Sequence, residues 1–573
     1  MRRSIIKIAA MGILLTAFCI SLSAQQKPQL PLDLPVSFAG TYGELRSNHF
    51  HQGFDFRVGG KVGDPAHSIM DGYISRISVS PTGFGNAVYV KHPDGTTSIY
   101  GHLDHFTPAI AKLVRKEQYA KESFSVNLWF TASDFPVKQG DVIGYVGSTG
   151  ASAAPHLHLE LHDKDDVPIN YIERDYYVVK DDIRPEIRRV NFYSFADSTG
   201  IPETAFIEGF KSPDFAGRGK TVYLPEKSYV GIDAVDRQNG TTGKLAVEIY
   251  QVKLDTATIF RFEVGEIPTA NGRSIKSLRE CSYNVDGGPD MVKTWLEPGN
   301  ALASHIRCSD SGIVVLRDTS THRLSVIASD QYGNSSIVAF NVKRSENVKA
   351  RSFEEAGSVA LKRKALIWNV PNVYQDKGIT LSIPAAGLYR SMWFTATPDR
   401  GAQNPKENVW SPVWELGDRN IPLSTAAKLS IEAPDVPASL RSKAMIVRKD
   451  RKGDPDPIGG SWNGNGVTAK VGSFGTYYVA VDSIAPVISF SFNEKAKLKT
   501  GNRIYARAKD EFSGISDYRI EIDGKWALST IRGERITVVL DPDRWTRGKS
   551  HEIYVTVVDG AGNKASAKGH FIW

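Results

Sequence analysis

The chain reads as mainly β, with a small antiparallel β domain near the N-terminus followed by about three β-sandwich modules. Three observations predict this. Gly (50 residues) and Pro (29) are plentiful among 573 residues, as expected where many turns separate short strands. Apolar and polar residues alternate over short runs such as 86–92 and 141–146, the period of half-buried strands. Beyond residue 178 the sequence repeats itself in outline. Asp182-Ile183-Arg184-Pro185-Glu186-Ile187 resembles Ser483-Ile484-Ala485-Pro486-Val487-Ile488, and each copy ends in an Asp-x-x-Gly-Asn turn, at 330–334 and 559–563. A shared opening and ending are the signature of one sandwich module used twice. The Asp-x-x-Gly-Asn string supplies residues that tolerate positive φ, so it reads as a hairpin turn in preference to a calcium loop.

At one domain per roughly 150 residues, the length suits about four domains. Arg2, Arg3 and Lys7 precede an apolar run over 8–22, then the small residues Ser23 and Ala24, the layout of a secretory signal peptide. The chain is therefore expected to be exported, to the periplasm, the cell surface or the medium. The run is shorter than the roughly 20 residues that cross a bilayer, and no later segment approaches that length, so no membrane span is expected. Phe18 is too large for lipoprotein processing at Cys19. Removing the leader lowers the formal charge of +7 to about +4, too mild to argue for nucleic acid. Cys281 and Cys308 remain, either as a disulfide worth about 3 kcal/mol or as two buried thiols.

The expected organisation is a signal peptide at 1–24, a linker at 25–39, a first domain at 40–178, a sandwich at 179–345, a different sandwich at 346–482 and a C-terminal Ig-like sandwich at 483–573. The first domain carries an insertion at about 107–135. There Thr107 can cap a helix over 108–121, Pro108 suits its first position, and Ile110, Leu113, Val114 and Glu117 fall at helical spacing. Phe124, Val126, Leu128 and Phe130 then alternate as a strand does.

Nine of the 13 histidines fall between residues 49 and 162, which locates the chemistry. His51-Gln52-Gly53-Phe54-Asp55 sets an imidazole and a carboxylate four residues apart, able to point to one side of an extended strand while Gly53 permits a close backbone turn. About a hundred residues on, 155–161 alternates strictly, with His156, His158 and Glu160 on one face and Leu157, Leu159 and Leu161 on the other. The leucine face must be core. The other face is a solvated exterior or a polar cleft, and two imidazoles beside a distant His/Asp pair favour the cleft. A catalytic zinc takes three protein ligands and keeps a fourth position for water; His51, Asp55 and one of His156 and His158 make such a set. The ion lowers the pKa of its water to about 7, and the remaining histidine can move protons.

These strings, with Tyr100-Gly101-His102-Leu103 and Gly147-Ser148-Thr149-Gly150 between them, resemble in order and spacing the lysostaphin-like (LytM-type) zinc metallopeptidases. Gly63-Asp64-Pro65, Asp71-Gly72, Gly85-Asn86 and Gly140-Asp141-Val142-Ile143-Gly144 add to the match, which covers about residues 40–170. The resemblance implies a small antiparallel β peptidase domain of the duplicated hybrid motif type, one Zn2+ per chain and peptidoglycan peptides as substrate. It implies that His51, Asp55 and His158 bind the metal, that His156 is the base, and that His102 orients water or stabilises the oxyanion. The insertion and Ala153-Ala154, where a Gly is common, depart from the pattern and bear on the substrate.

His49, His105 and His162 match no ligand of that family and read as supporting or exposed residues, and His67 and His92 as ordinary strand or loop residues. Arg46 reads as a structural pin for the loop entering the first motif. Tyr100 reads as cleft lining or packing. In the tail, His551-Glu552 begins a zincin pattern, but Val555 stands where its second His must be. The function expected is an exported zinc endopeptidase hydrolysing cross-links or bridges of bacterial peptidoglycan. The alternatives are a wall-binding or amidase-activating regulator with a dormant peptidase domain, its β modules meeting a wall or protein partner, and a secreted protease for Gly-rich proteins.

Overall fold

A computed structural model describes residues 27–172, 176–177, 179–197, 199–213, 215, 221–280, 291–348, 363–492, 496–497 and 501–573. The expected signal peptide, Cys19 and Cys281 lie outside the described residues; Cys308 is exposed. The architecture is mainly β, 49% strand and 8% helix. Among the described residues no helix is long and apolar enough to cross a membrane.

The first domain contains β1 (Phe38–Gly40), β2 (Phe54–Arg57), β3 (Pro65–His67), β4 (Gly72–Val79), β5 (Asn86–Lys91), β6 (Thr97–Leu103), β7 (His105–Phe106), α1 (Pro108–Lys121), β8 (Val126–Trp129), β9 (Pro136–Val137), β10 (Val142–Tyr145) and β11 (His156–His162). The main sheet runs β1-β2-β11-β6-β5-β4-β8 with β9 added to β4, and β3-β10-β7 form a small second sheet. All these pairings are antiparallel.

The alternation in β11 does what its pattern dictates, since Leu157, Leu159 and Leu161 are fully buried among Phe54, Tyr100 and Tyr171. Its register against β2 sets His158 opposite Asp55 and Leu159 opposite Phe54, so two motifs a hundred residues apart become cross-strand neighbours. Gly53 is required there. A Cβ on it would lie 2.4 Å from the Leu159 carbonyl oxygen, so only glycine lets the chain run this close to β11.

Helix α1 starts at Pro108, but Thr107 makes no side-chain cap bond, and the buried face is Ile110, Val114 and Gln118. The helix does not only cover its own domain. Tyr119 packs edge-on against Trp526 (ring centroids 5.5 Å) with Arg544 over its ring at 4.2 Å, and Glu122 pairs with Arg519 at 2.8 Å. The insertion is thus a platform for the C-terminal sheets.

Beyond it, residues 186–344 form two six-stranded sheets, 364–481 two five-stranded sheets plus a two-stranded one, and 487–572 a four- and a five-stranded sheet. The first and last sets share a device. The strand after each Asp-x-x-Gly-Asn turn pairs antiparallel with the strand before it and parallel with a short strand, 221–224 in one and 496–497 in the other. The apolar core of the first domain is continuous with that of the first sandwich, where Phe50 meets Phe262 with ring centroids 6.1 Å apart.

Candidate metal centre

His51, Asp55 and His158 each offer one donor atom, and the three atoms lie within 4.8 Å of one another in a buried cluster. His51 Nε2 is 3.1 Å from Asp55 Oδ1 and 3.1 Å from His158 Nδ1, and His158 Nδ1 is 2.8 Å from Asp55 Oδ1. Each imidazole is aimed by an outer bond. His51 Nδ1–H donates to the Thr41 carbonyl at 2.8 Å, and His158 Nε2–H donates to Glu160 Oε1 at 2.8 Å. In the neutral tautomers that keep these outer nitrogens as donors, the inner nitrogens would present lone pairs to a metal ion. Two imidazole nitrogens and a carboxylate thus converge on one point, where a proton or a metal ion can bridge them. The donor set, two imidazoles and a carboxylate with outer partners holding the rings, fits zinc.

The electrostatics agree. Burial alone would raise the Asp55 carboxyl, but the His51 charge and bonds from His156, His158 and His51 outweigh it and hold the group far below the carboxylate range. Burial opposes charge on His158, yet Asp55 and Glu160 push it up to about 10. Glu160, buried, is nonetheless held down at about 2 by the hydrogen bonds of His158 and His162. His162 donates from Nε2 to Glu160 Oε2 and from Nδ1 to Asp166 Oδ1, both at 2.7 Å. The two buried carboxylates, Asp55 and Glu160, are thus held ionised by the imidazoles beside them.

His156 and His102 flank the cluster, their rings 4.8 Å apart. His156 Nδ1–H donates to the Ala154 carbonyl at 2.8 Å, and its Nε2 is 3.4 Å from Asp55 Oδ1. His102 Nδ1–H donates to the Thr149 carbonyl at 2.8 Å. Burial, with His158 and His156 nearby, pulls His102 down to about 4, so near pH 7 it is neutral. His102 has φ 60°, and the strand pairing slips beside it between Asn86 and Val88. That kink separates it from Tyr100, which is fully buried with its hydroxyl bonded to Ser98 and the Ile69 N–H. Tyr100 is packing and does not line the cleft.

Of the other residues singled out, Arg46 pairs with Glu44 at 2.7 Å and Asp55 Oδ2 at 3.3 Å. His49 and His105 are exposed beside Asn48 and Asp104. His67 bonds Gly140 and Asp33, and His92 bonds Asp71 and Ser98. Sequence reasoning missed the carbonyls of Thr41, Thr149 and Ala154, which carry no side-chain signal. It also missed the link from His162 through Glu160 to His158, although the His-x-Glu-x-His alternation over 158–162 carries that signal.

A small antiparallel β domain with this His/Asp/His cluster defines the class of lysostaphin-type peptidase domains. Residues 49–123 and 125–171 match Peptidase family M23, so the N-terminal domain is an M23, LytM-type domain. Residues 363–482 match the Zu5-like domain. The chain is 32% identical over 116 residues to the DD-carboxypeptidase/endopeptidase Mpg of Neisseria meningitidis (20% of this chain, 21% of the relative). It is 32% identical over 111 residues to the glycyl-glycine endopeptidase ALE-1 of Staphylococcus capitis (19% of this chain, 24% of the relative). The chain spans about a fifth to a quarter of the length of these curated relatives. Among solved structures, the catalytic domain of lysostaphin from Staphylococcus simulans is 26% identical, covering 24% of this chain and 86% of that one, with a TM-score of 0.17.

Proposed function

We propose that the protein is an exported zinc metalloendopeptidase that hydrolyses peptide bonds in the cross-links or bridges of peptidoglycan. The observation that carries this is the convergence of His51 Nε2, Asp55 Oδ1 and His158 Nδ1 with both outer imidazole nitrogens already engaged. These three residues would hold one zinc ion, which would polarise a peptide carbonyl and make water acidic enough to attack near neutral pH. His156 presents Nε2 beside the cluster because Ala154 takes its Nδ1–H, so it is placed to accept the proton of the attacking water and return it to the leaving amine. His102, neutral with Nδ1–H on Thr149, offers an acceptor that orients the water; stabilising an oxyanion would require it to be protonated first. The names of the relatives, an endopeptidase and a glycyl-glycine endopeptidase, support this substrate class. The test is mass spectrometry of muropeptides released from purified sacculi. The wild type should release cleaved cross-links, His156→Ala should keep about one zinc per chain and release none, and His51→Ala should lose the metal. An active, zinc-free His51→Ala protein would refute the assignment.

A second reading is a regulated or dormant domain that acts through its β modules. One contact favours it: Arg532 of the C-terminal sheets donates to the Ser152 carbonyl at 3.1 Å, on the loop leading to His156. Zinc-loaded protein that leaves sacculi intact, and gains activity on Arg532→Ala, would select this reading.

A further inference from the structure

Outside the metal centre, the first sandwich gathers three carboxylates from separated segments. Asp181 lies five residues before the strand Glu186–Ala196, Asp236 follows the strand Lys227–Val235, and Asp330 opens the turn after Thr321–Ser329. One oxygen of each lies within 4.8 Å of the others. Among the described residues no Lys or Arg forms an ion pair with any of them. Asp330 is held in place by the N–H groups of Tyr332 and Asn334, and the Asn334 amide also donates to the Asp181 carbonyl at 3.1 Å. Asp236 is different. It is only 5% exposed and accepts a backbone bond from Arg237, but its Oδ1 is buried with no hydrogen-bond partner. A buried carboxylate oxygen left unpaired beside two more carboxylates is costly in an unliganded protein.

We propose that Asp181, Asp236 and Asp330 form a calcium site within the first sandwich, beside its junction with the peptidase domain. All the donors are hard oxygens, without the nitrogen or sulfur that selects zinc, and carboxylates from three separate segments suit the irregular coordination of Ca2+ better than the strict octahedron of Mg2+. The turn remains a hairpin turn; what makes the site is its meeting with Asp181 and Asp236. Burial, reinforced by Asp330 and Asp181, pushes the Asp236 carboxyl up to about 8, as expected for a ligand without its cation. A small cavity touches Asp181 and Asp236 on one side and Thr41 on the other. Thr41 is the residue whose carbonyl holds His51. An ion at the three aspartates would therefore fasten the surface on which the metal-ligand loop rests.

Asp482, Asp510 and Asp559 occupy the same places in the C-terminal sheets and accept the same kind of backbone bonds, Ile484 on Asp482 as Ile183 on Asp181 and Ala561 on Asp559 as Tyr332 on Asp330, but no carboxylate oxygen of theirs is buried without a partner. That cluster serves as the control. Zinc-loaded full-length mature protein is titrated with CaCl2 and followed by calorimetry and thermal unfolding. The wild type should bind Ca2+ with a Kd of about 0.1–1 mM, the range of extracellular modules, and its Tm should rise with Ca2+. Asp236→Asn should melt higher than wild type without Ca2+ and not respond to it, Asp181→Asn should bind at least about tenfold more weakly, and Asp510→Asn should respond like wild type. Absence of binding by the wild type, an undiminished response in Asp236→Asn, or loss of the response in Asp510→Asn alone would each overturn the proposal.

Discussion

The carbonyl of Thr41 accepts the Nδ1–H of His51 at 2.8 Å while the hydroxyl of the same residue accepts the Ala246 N–H at 3.0 Å. One residue thus ties a candidate metal ligand to the first sandwich. Thr41→Val keeps shape and carbonyl but leaves the Ala246 N–H without its partner, at a cost of about 1–2 kcal/mol. Zinc content should stay at one per chain while thermal unfolding shifts down. An unchanged melt would mean that this link carries no stability.

Glu160 is bonded on one oxygen by His158 and on the other by His162. A Gln there can accept from one of them only, and it loses the charge that makes His158 a better donor to a metal. Glu160→Gln should therefore weaken zinc binding by about 10–100-fold, as loss of a ligand's outer partner does, in competition with a chromophoric chelator. Equal affinity in wild type and variant would remove Glu160 from the site.

Much of this was legible because side chains announce it. The alternation of His156, His158 and Glu160 and the leucine face opposite them follow from strand geometry, whereas His51 lies ahead of the strand that carries Asp55, which starts at Phe54. The illegible parts are of two kinds. Backbone acceptors such as Thr41 and Ala154 leave no trace in residue type. Contacts between distant parts of the chain, such as Tyr119 on Trp526 or Arg532 on Ser152, depend on how the modules pack, which no local pattern encodes. Tyr100 illustrates a third cause: residues two apart share a face in a regular strand, but the left-handed backbone at His102 breaks the alternation.

Gly53 lies between the two ligands of its motif and against β11. Adding one methyl would bring it 2.4 Å from the Leu159 carbonyl oxygen and 2.8 Å from Glu160 Cγ, and since the first of these is backbone the strands must separate. Gly53→Ala should destabilise the domain by about 1–3 kcal/mol, the cost of overpacking, and lower zinc content at the same time. A variant with full zinc and an unshifted melt would show that β2 has room to move.

The C-terminal sheets hold the peptidase domain through the Tyr119–Trp526 and Tyr119–Arg544 packing, the Glu122–Arg519 pair and the Arg532–Ser152 bond. The ion pair is about half exposed on both sides and is worth little by itself; the aromatic packing is the larger part. If these sheets restrict access, Tyr119→Ala combined with Arg532→Ala should raise the rate of cross-link release from sacculi severalfold at unchanged zinc content. A rate equal to or below that of wild type would assign the contact a structural or targeting role.

The last prediction concerns pH. An Asp236 carboxyl at about 8 in the folded protein lies well above the roughly 3.9 of an unfolded aspartate. Between these values the folded state holds a proton that the unfolded state has released, so stability falls as pH rises. The penalty is absent below about pH 4, grows by at most about 1.4 kcal/mol per pH unit and levels off above about pH 8. Asp236→Asn does not titrate. Without added calcium, the amount by which Asp236→Asn outmelts the wild type should therefore widen from pH 5 to pH 8, and calcium should narrow it at pH 8 by stabilising only the wild type. Parallel melting curves across that range would show that Asp236 is ionised and balanced by some other group, and would remove the electrostatic reason for a cation beside it.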